Sequence, residues 1–252
     1  VTKTARDSAQ DAETGQWTIG YDVTVRNDSD ITVAYDLTDT PESLPDGVTG
    51  GTWQATGPVV TGGGTATLEP DWNGEDVTAM ATGILPAGAV HVYTVTRTVA
   101  VAVDVDDALL ACGESDDETG LWNSATVSNG IAEVTDTACA GIDRPEVTID
   151  KTVIDTVDLG GDRWRITYDV AVHNPDPELA AVYDLDDTLR FGEDITVTGA
   201  SWTGPTEGEF SAAWSATLAT GRVLAAGAED IYTVTALATV DIETASAASL
   251  AC

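Results

Sequence analysis

A lysine, an aspartate and an asparagine each fall among apolar neighbours in this sequence. Successive side chains of a β-strand point to opposite faces, so parity assigns each residue to a face. Val1, Lys3 and Ala5 share one face of an opening strand, and Val147, Ile149, Lys151 and Val153 share the corresponding face of a later one. Val33, Tyr35, Leu37 and Asp39 fall together, as do Ala181, Tyr183, Leu185 and Asp187, with Asp36 and Asp184 on the opposite sides. Leu121, Asn123, Ala125 and Val127 set a carboxamide in an apolar row. An unpaired buried charge is strongly unfavourable. A lysine desolvated among Val and Ile has its pKa lowered and becomes a neutral nucleophile. A carboxyl in the same pocket has its pKa raised, and once protonated it can polarise the asparagine carbonyl and shuttle protons. The product would be a Lys–Asn isopeptide bond, with ammonia lost.

Base usage sharpens the point. The chain has 10 Lys plus Arg, and only Lys3 and Lys151 are lysines. Arginine stays protonated and could not make this attack. Plainer roles exist for each residue. An inward lysine on an edge strand blocks edge-to-edge pairing. Asp39 before Pro41 could cap a turn, and Asn123 could be a satisfied core amide.

The elements that would position these residues occur twice. GQWTIGYDVTVRN (15–27) realigns with DRWRITYDVAVHN (162–174), and AYDLTDT (34–40) with VYDLDDT (182–188). LPAGAVHVYTVT (85–96) matches LAAGAEDIYTVT (224–235), and VDVDDALLAC (103–112) matches VDIETASAASLAC (240–252). Two copies of one domain are expected, 1–143 and 144–252, joined at a short linker carrying Gly141 and Pro145. The second copy stops at the counterpart of Cys112, so its closing strand, with its asparagine, is expected to lie beyond the chain. Segments alternate with period two between Gly, Pro and Asp turns, including one long strand over Val90–Val105, and none shows a helical stripe. The fold class expected is all-β: two tandem immunoglobulin-like β-sandwiches of seven or so strands each, the second truncated.

A lysine in the first strand, an aspartate in a Y-x-L-x-D-T segment and an asparagine in the last strand resemble the isopeptide-forming domains of Gram-positive pilins and adhesins. The N-x-A-T-V segment (Asn123 to Val127) and the L-P-A-G-A turn (85–89) are similar to tandem repeats of large bacterial surface proteins. The resemblance spans the chain on short motifs. It implies a Lys3–Asn123 bond promoted by Asp39, with Lys151 and Asp187 in the same roles in the second copy. Two departures stand out. Thr40-Pro41-Glu42 follows Asp39 where Thr-Leu-Pro is expected, and no lysine is left for intermolecular linkage, which argues against a sortase-polymerised shaft.

The other chemistry-bearing residues point to less. Cys112 and Cys139 flank the Asn123 strand, and in an extracellular setting a disulfide would clamp its flanking loops; in a reducing cell they would be free thiols. Cys252 aligns with Cys112 and should pair beyond the chain. His91 and His173 occupy non-equivalent places with no recurrent nucleophile, so a hydrolase triad is not expected. Trp17/Trp164 and Trp53/Trp202 recur as packing residues. Asp104–Asp107 and Asp116–Glu118 could hold calcium but lack EF-hand spacing, and solvated acidic loops suit them better. No cofactor or other metal is expected.

Composition fixes the setting. The 43 Asp plus Glu give a formal net charge of −33, which repels nucleic acid and anionic membranes. No apolar run is long enough to span a bilayer, and Val1 opens in a strand rather than a signal peptide. The function expected is a non-enzymatic structural stalk of a secreted or cell-surface bacterial adhesin or fibre. Its partners would be neighbouring repeats and an unidentified host or environmental ligand. The rival expectation is a ligand-binding adhesin module for a glycan, a protein or a calcium-dependent partner.

Overall fold

Alternating Val, Thr and aromatic residues form extended backbone nearly throughout, because branched and ring side chains pack well on a pleated surface. The computed structural model describes residues 1–113, 119–241 and 243. It is all-β and antiparallel; the described residues include one 3₁₀ turn, Asp107–Leu109, and no α-helix. Two compact units divide the chain, Val1–Arg144 and a second beginning at Pro145. Among the described residues, no helix is long and apolar enough to cross a membrane.

The first unit contains β1 (Thr2–Ala5), β2 (Ala9–Gln10), β3 (Trp17–Arg26), β4 (Val33–Pro41), β5 (Val48–Gly50) and β6 (Gln54–Thr61). It continues with β7 (Thr65–Leu68), β8 (Ala79–Leu85), β9 (Val90–Val101), β10 (Leu121–Ser128) and β11 (Glu133–Ala140). One sheet runs β1-β3-β9-β5, with β2 on β3 and β6 on β9; the other runs β11-β10-β4-β8-β7. Their inner faces meet in one core. Trp17, Ile19, Tyr21, Val23 and Val25 of β3 are all buried, as are Tyr35 and Leu37 of β4. The phenol oxygens of Tyr35 and Tyr93, on opposite sheets, lie 2.6 Å apart.

Three details differ from the sequence expectation. The long strand ends at Val101 rather than Val105, because the chain turns at Ala102, whose carbonyl accepts from Val105 N–H at 3.3 Å. The Asn123 strand is interior, since the Asn129–Ala132 turn returns the chain as β11 along the outer side of β10. Cys139 therefore lies within a strand rather than in a flanking loop.

The second unit contains β12 (Thr148–Gly160), β13 (Arg163–His173), β14 (Ala181–Thr188), β15 (Ile195–Thr203), β16 (Gly208–Glu209), β17 (Ser215–Leu224) and β18 (Glu229–Val240). One sheet runs β12-β13-β18-β15-β16, and β14 pairs with β17 alone among the described residues. Registers repeat those of the first unit: Val33 pairs with Leu85 as Ala181 pairs with Leu224, and Val23 with Lys3 as Val170 with Lys151.

A buried lysine–aspartate–asparagine site

The site is assembled from both sheets of the first unit. Lys3 enters from β1, held in register by pairing with Val23, and its backbone N–H donates to Asp136 Oδ2 of β11 at 2.7 Å. Asp39 lies on β4 opposite Ala125 of β10, and Asn123 lies two residues along β10, opposite Pro41. Asp39 and Asn123 are thus diagonal neighbours on one face, a spacing within reach of polar side chains. Lys3, Asp39 and Asn123 are 4%, 0% and 0% exposed. The Lys3 ammonium donates to Asp39 Oδ2 and lies 5.2 Å from the centre of the Tyr21 ring. Tyr21, fully buried, donates through its hydroxyl to the Leu121 carbonyl at 2.5 Å, tying β3 to the start of β10.

Burial works on the two charges in opposite directions. It lowers the Lys3 pKa despite the opposing attraction of Asp39, and it raises that of Asp39 despite Lys3. Both shifts favour the neutral amine beside the neutral acid. Asn123 is near enough to favour the Asp39 carboxylate slightly, yet neither of its amide atoms has a hydrogen-bond partner. Asp39 Oδ1 has none either. An unsatisfied buried polar group costs about 1–3 kcal/mol, so this is an expensive cluster if it stays unreacted.

Two other buried asparagines supply the contrast. Asn27 donates to the carbonyls of Ile31, Leu85 and Pro86 at 2.7–3.1 Å, and Asn174 to those of Leu179, Leu224 and Ala225 at 2.9–3.2 Å. These equivalent residues are satisfied core amides that pin a loop to a strand end. Asn123 is not one of them.

In the second unit Lys151 Nζ donates to Asp187 Oδ1 at 2.5 Å and lies 5.1 Å from the centre of the Tyr168 ring. Asp187 is 8% exposed and its Oδ2 has no partner. The Lys151 side chain remains 33% exposed, so parity placed it on the correct face but nothing described covers it.

A disulfide joins Cys112 to Cys139, fastening the turn after β9 to β11. Gly120 makes room for it: with φ at +74°, it would place a Cβ 2.4 Å from Cys139 Sγ. Cys252 and the run Asp116–Glu118 lie outside the described residues. Asp106 accepts from Ala108 N–H and Asp107 pairs with Arg144, so both serve the local fold. Among the described residues, no group of three acidic, histidine or cysteine side chains is arranged to hold a metal.

Sequence reasoning missed the aromatic partners of the lysines, although Tyr21 and Tyr168 recur at matched positions. It also missed a polar cluster between the sheets. His91 Nδ1 lies 2.7 Å from the Tyr35 hydroxyl, and the aligned residue of the second unit, Asp230, accepts from Tyr183 at 2.7 Å and from Arg222 at 2.5 Å. The repeat alignment contained that signal, because Tyr35 aligns with Tyr183 and Tyr93 with Tyr232.

Compared with known proteins, the chain matches no family model and no curated protein sequence.

Proposed function

We propose that this chain is a stretch of tandem immunoglobulin-like β-sandwich repeats from a bacterial surface protein. It acts as a load-bearing stalk whose first unit is closed by an isopeptide bond between Lys3 and Asn123. The observation that carries this reading is the Asn123 amide, fully buried without a hydrogen-bond partner beside a buried Lys3–Asp39 pair. Neutral Lys3 Nζ attacks Asn123 Cγ while protonated Asp39 polarises the carbonyl. The new C–N bond forms as Cγ–Nδ2 breaks, and Nδ2 leaves as ammonia after gaining the proton shed by Nζ through Asp39. The chemistry is one autocatalytic turnover during folding. It removes the lysine charge and leaves an amide N–H to donate to Asp39.

The disulfide supports an oxidising, extracellular setting. A glycan- or protein-binding module would favour aromatic side chains exposed at a tip. All seven tryptophans are instead buried or partly buried, which supports packing roles.

Intact-mass analysis of the reduced, denatured chain tests the proposal. The mass should fall short of the sequence mass by one ammonia, and a Lys3→Ala variant should show no shortfall. An unshifted wild-type mass would sink the reading.

A further inference from the structure

Two more buried N–H groups of the first unit lack hydrogen-bond partners, and they belong to stacked side chains: Trp53 Nε1 and Arg97 Nε. The Arg97 guanidinium lies 5.5 Å from the centre of the Trp53 ring. Its ion pair runs from Nη2 to Glu75 Oε1 at 3.3 Å; the Arg97 side chain is 11% exposed and that of Glu75 62%. Nε and Nη2 form one edge of the guanidinium, so that edge has a single, distant and exposed partner. Both side chains line a cleft of about 390 Å³ together with Pro41, Glu42, Leu44 and Glu75, a size that suits a small ligand. The same places in the second unit are filled differently. Arg97 stands opposite Ile19 as Ala236 stands opposite Ile166, so an alanine replaces the arginine. Trp202, the counterpart of Trp53, donates its indole N–H to Thr206 Oγ1 at 3.1 Å. Packing of this tryptophan therefore needs neither the arginine nor an open N–H, yet the first unit has both.

We infer that this cleft binds a small aliphatic amino acid as its zwitterion, carboxylate inward and ammonium outward. Unpartnered donors call for an acceptor, and a carboxylate takes a guanidinium edge with two parallel bonds. A simple anion is repelled by a chain of net charge −33 that sets Glu42 and Glu75 at the same cleft. An ammonium on the same molecule removes that penalty. The incoming carboxylate takes Nε and Nη2 of Arg97, with the Trp53 N–H as a third donor. Glu75 exchanges the guanidinium for the ammonium, so two ion pairs replace one. Pro41 and Leu44 offer apolar surface to the aliphatic side chain. The binding is independent of the Lys3–Asn123 bond and leaves its mass signature unchanged.

Titration calorimetry of the whole chain with leucine is the test, beside leucinamide, which lacks the carboxylate, and N-acetylleucine, which lacks the ammonium. Leucine should bind, and each analogue should bind more weakly by about tenfold or more, the effect of leaving a charged partner unmet. That comparison leaves the protein untouched. Arg97→Ala installs the residue that the second unit carries at this place, and it should abolish leucine binding. Trp53→Phe keeps a ring without the N–H and should weaken binding by about tenfold. Glu75→Gln, a change at an exposed side chain, should narrow the preference for leucine over N-acetylleucine. No leucine binding by the wild-type chain would overturn the inference. So would equal binding of either analogue, or binding undiminished by Arg97→Ala.

Discussion

Lys3 and Asp39 are taken out of water together, and each is pushed toward its neutral form. An Asn123→Ala chain keeps this pair but cannot bond it, so both groups should titrate in the native state. Asp39, with its pKa raised, binds a proton in the folded state where the unfolded chain has lost it. Its contribution to stability falls as pH rises from the ordinary carboxylate value to the raised one. Lys3, with its pKa lowered, releases a proton early on folding, so stability is regained as pH rises from the lowered value toward that of an ordinary lysine. The variant should therefore be least stable at intermediate pH, with stability rising on both sides. In the bonded protein Lys3 no longer titrates and the alkaline rise should vanish. Denaturant titrations across the pH range read both curves, and an alkaline rise in the wild type would contradict the bond. At neutral pH the variant should also be about 4–5 kcal/mol less stable, the loop-entropy value for a crosslink between positions 3 and 123.

At the level of elements, β11 is the strand the sequence hid. It is polar on its outer side and follows a tight turn at Asn129–Ala132, so the alternation does not mark it as a strand of its own beside the one that carries Asn123. Parity was enough to bring Lys3, Asp39 and Asn123 to inner faces, because a period of two fixes the face wherever one side is apolar. It says nothing of which strands are neighbours or what lies above a face. That is why Lys151 shares parity with the apolar set yet stands partly in water, and why the sequence pattern alone makes the Asn123 strand look terminal. The break after Val101 is equally hidden, since Ala102–Val105 continues the alternation and only the turn closed by Val105 N–H on the Ala102 carbonyl takes the chain out of the sheet. With β11 in place, the Cys112–Cys139 disulfide becomes a strand anchor closing a loop of 27 residues. Its removal in a Cys112→Ser/Cys139→Ser chain should lower the stability of the first unit by about 3–4 kcal/mol and leave the second unit unchanged. Calorimetry separates the two if their transitions differ, and a shift in the second unit's transition would refute the assignment. The isopeptide should still form, because Tyr21 and the β4–β10 pairing position Asn123 independently of the disulfide.

For the whole molecule, the proposed bond changes how tension runs through the chain. Lys3 is close to the start of the first unit and Asn123 close to its end, so a link between them takes the intervening residues out of the load path. Pulled from its ends under reducing conditions, the wild-type chain should extend through the second unit, the unit boundary and the short segments outside the link. The core between Lys3 and Asn123 should stay folded or release no length, because a covalent bond spans it. In a Lys3→Ala chain the same residues become stretchable, and one additional extension of about 400 Å should appear, from roughly 3.3–3.6 Å per extended residue. The second unit serves as an internal reference, since its extension should be the same in both chains. Reducing conditions matter, because an intact Cys112–Cys139 bond would withhold part of the released loop. Single-molecule force spectroscopy reads the difference directly. Equal extension in the two chains would mean that no covalent link carries the load, and that the buried lysine, aspartate and asparagine serve the core alone.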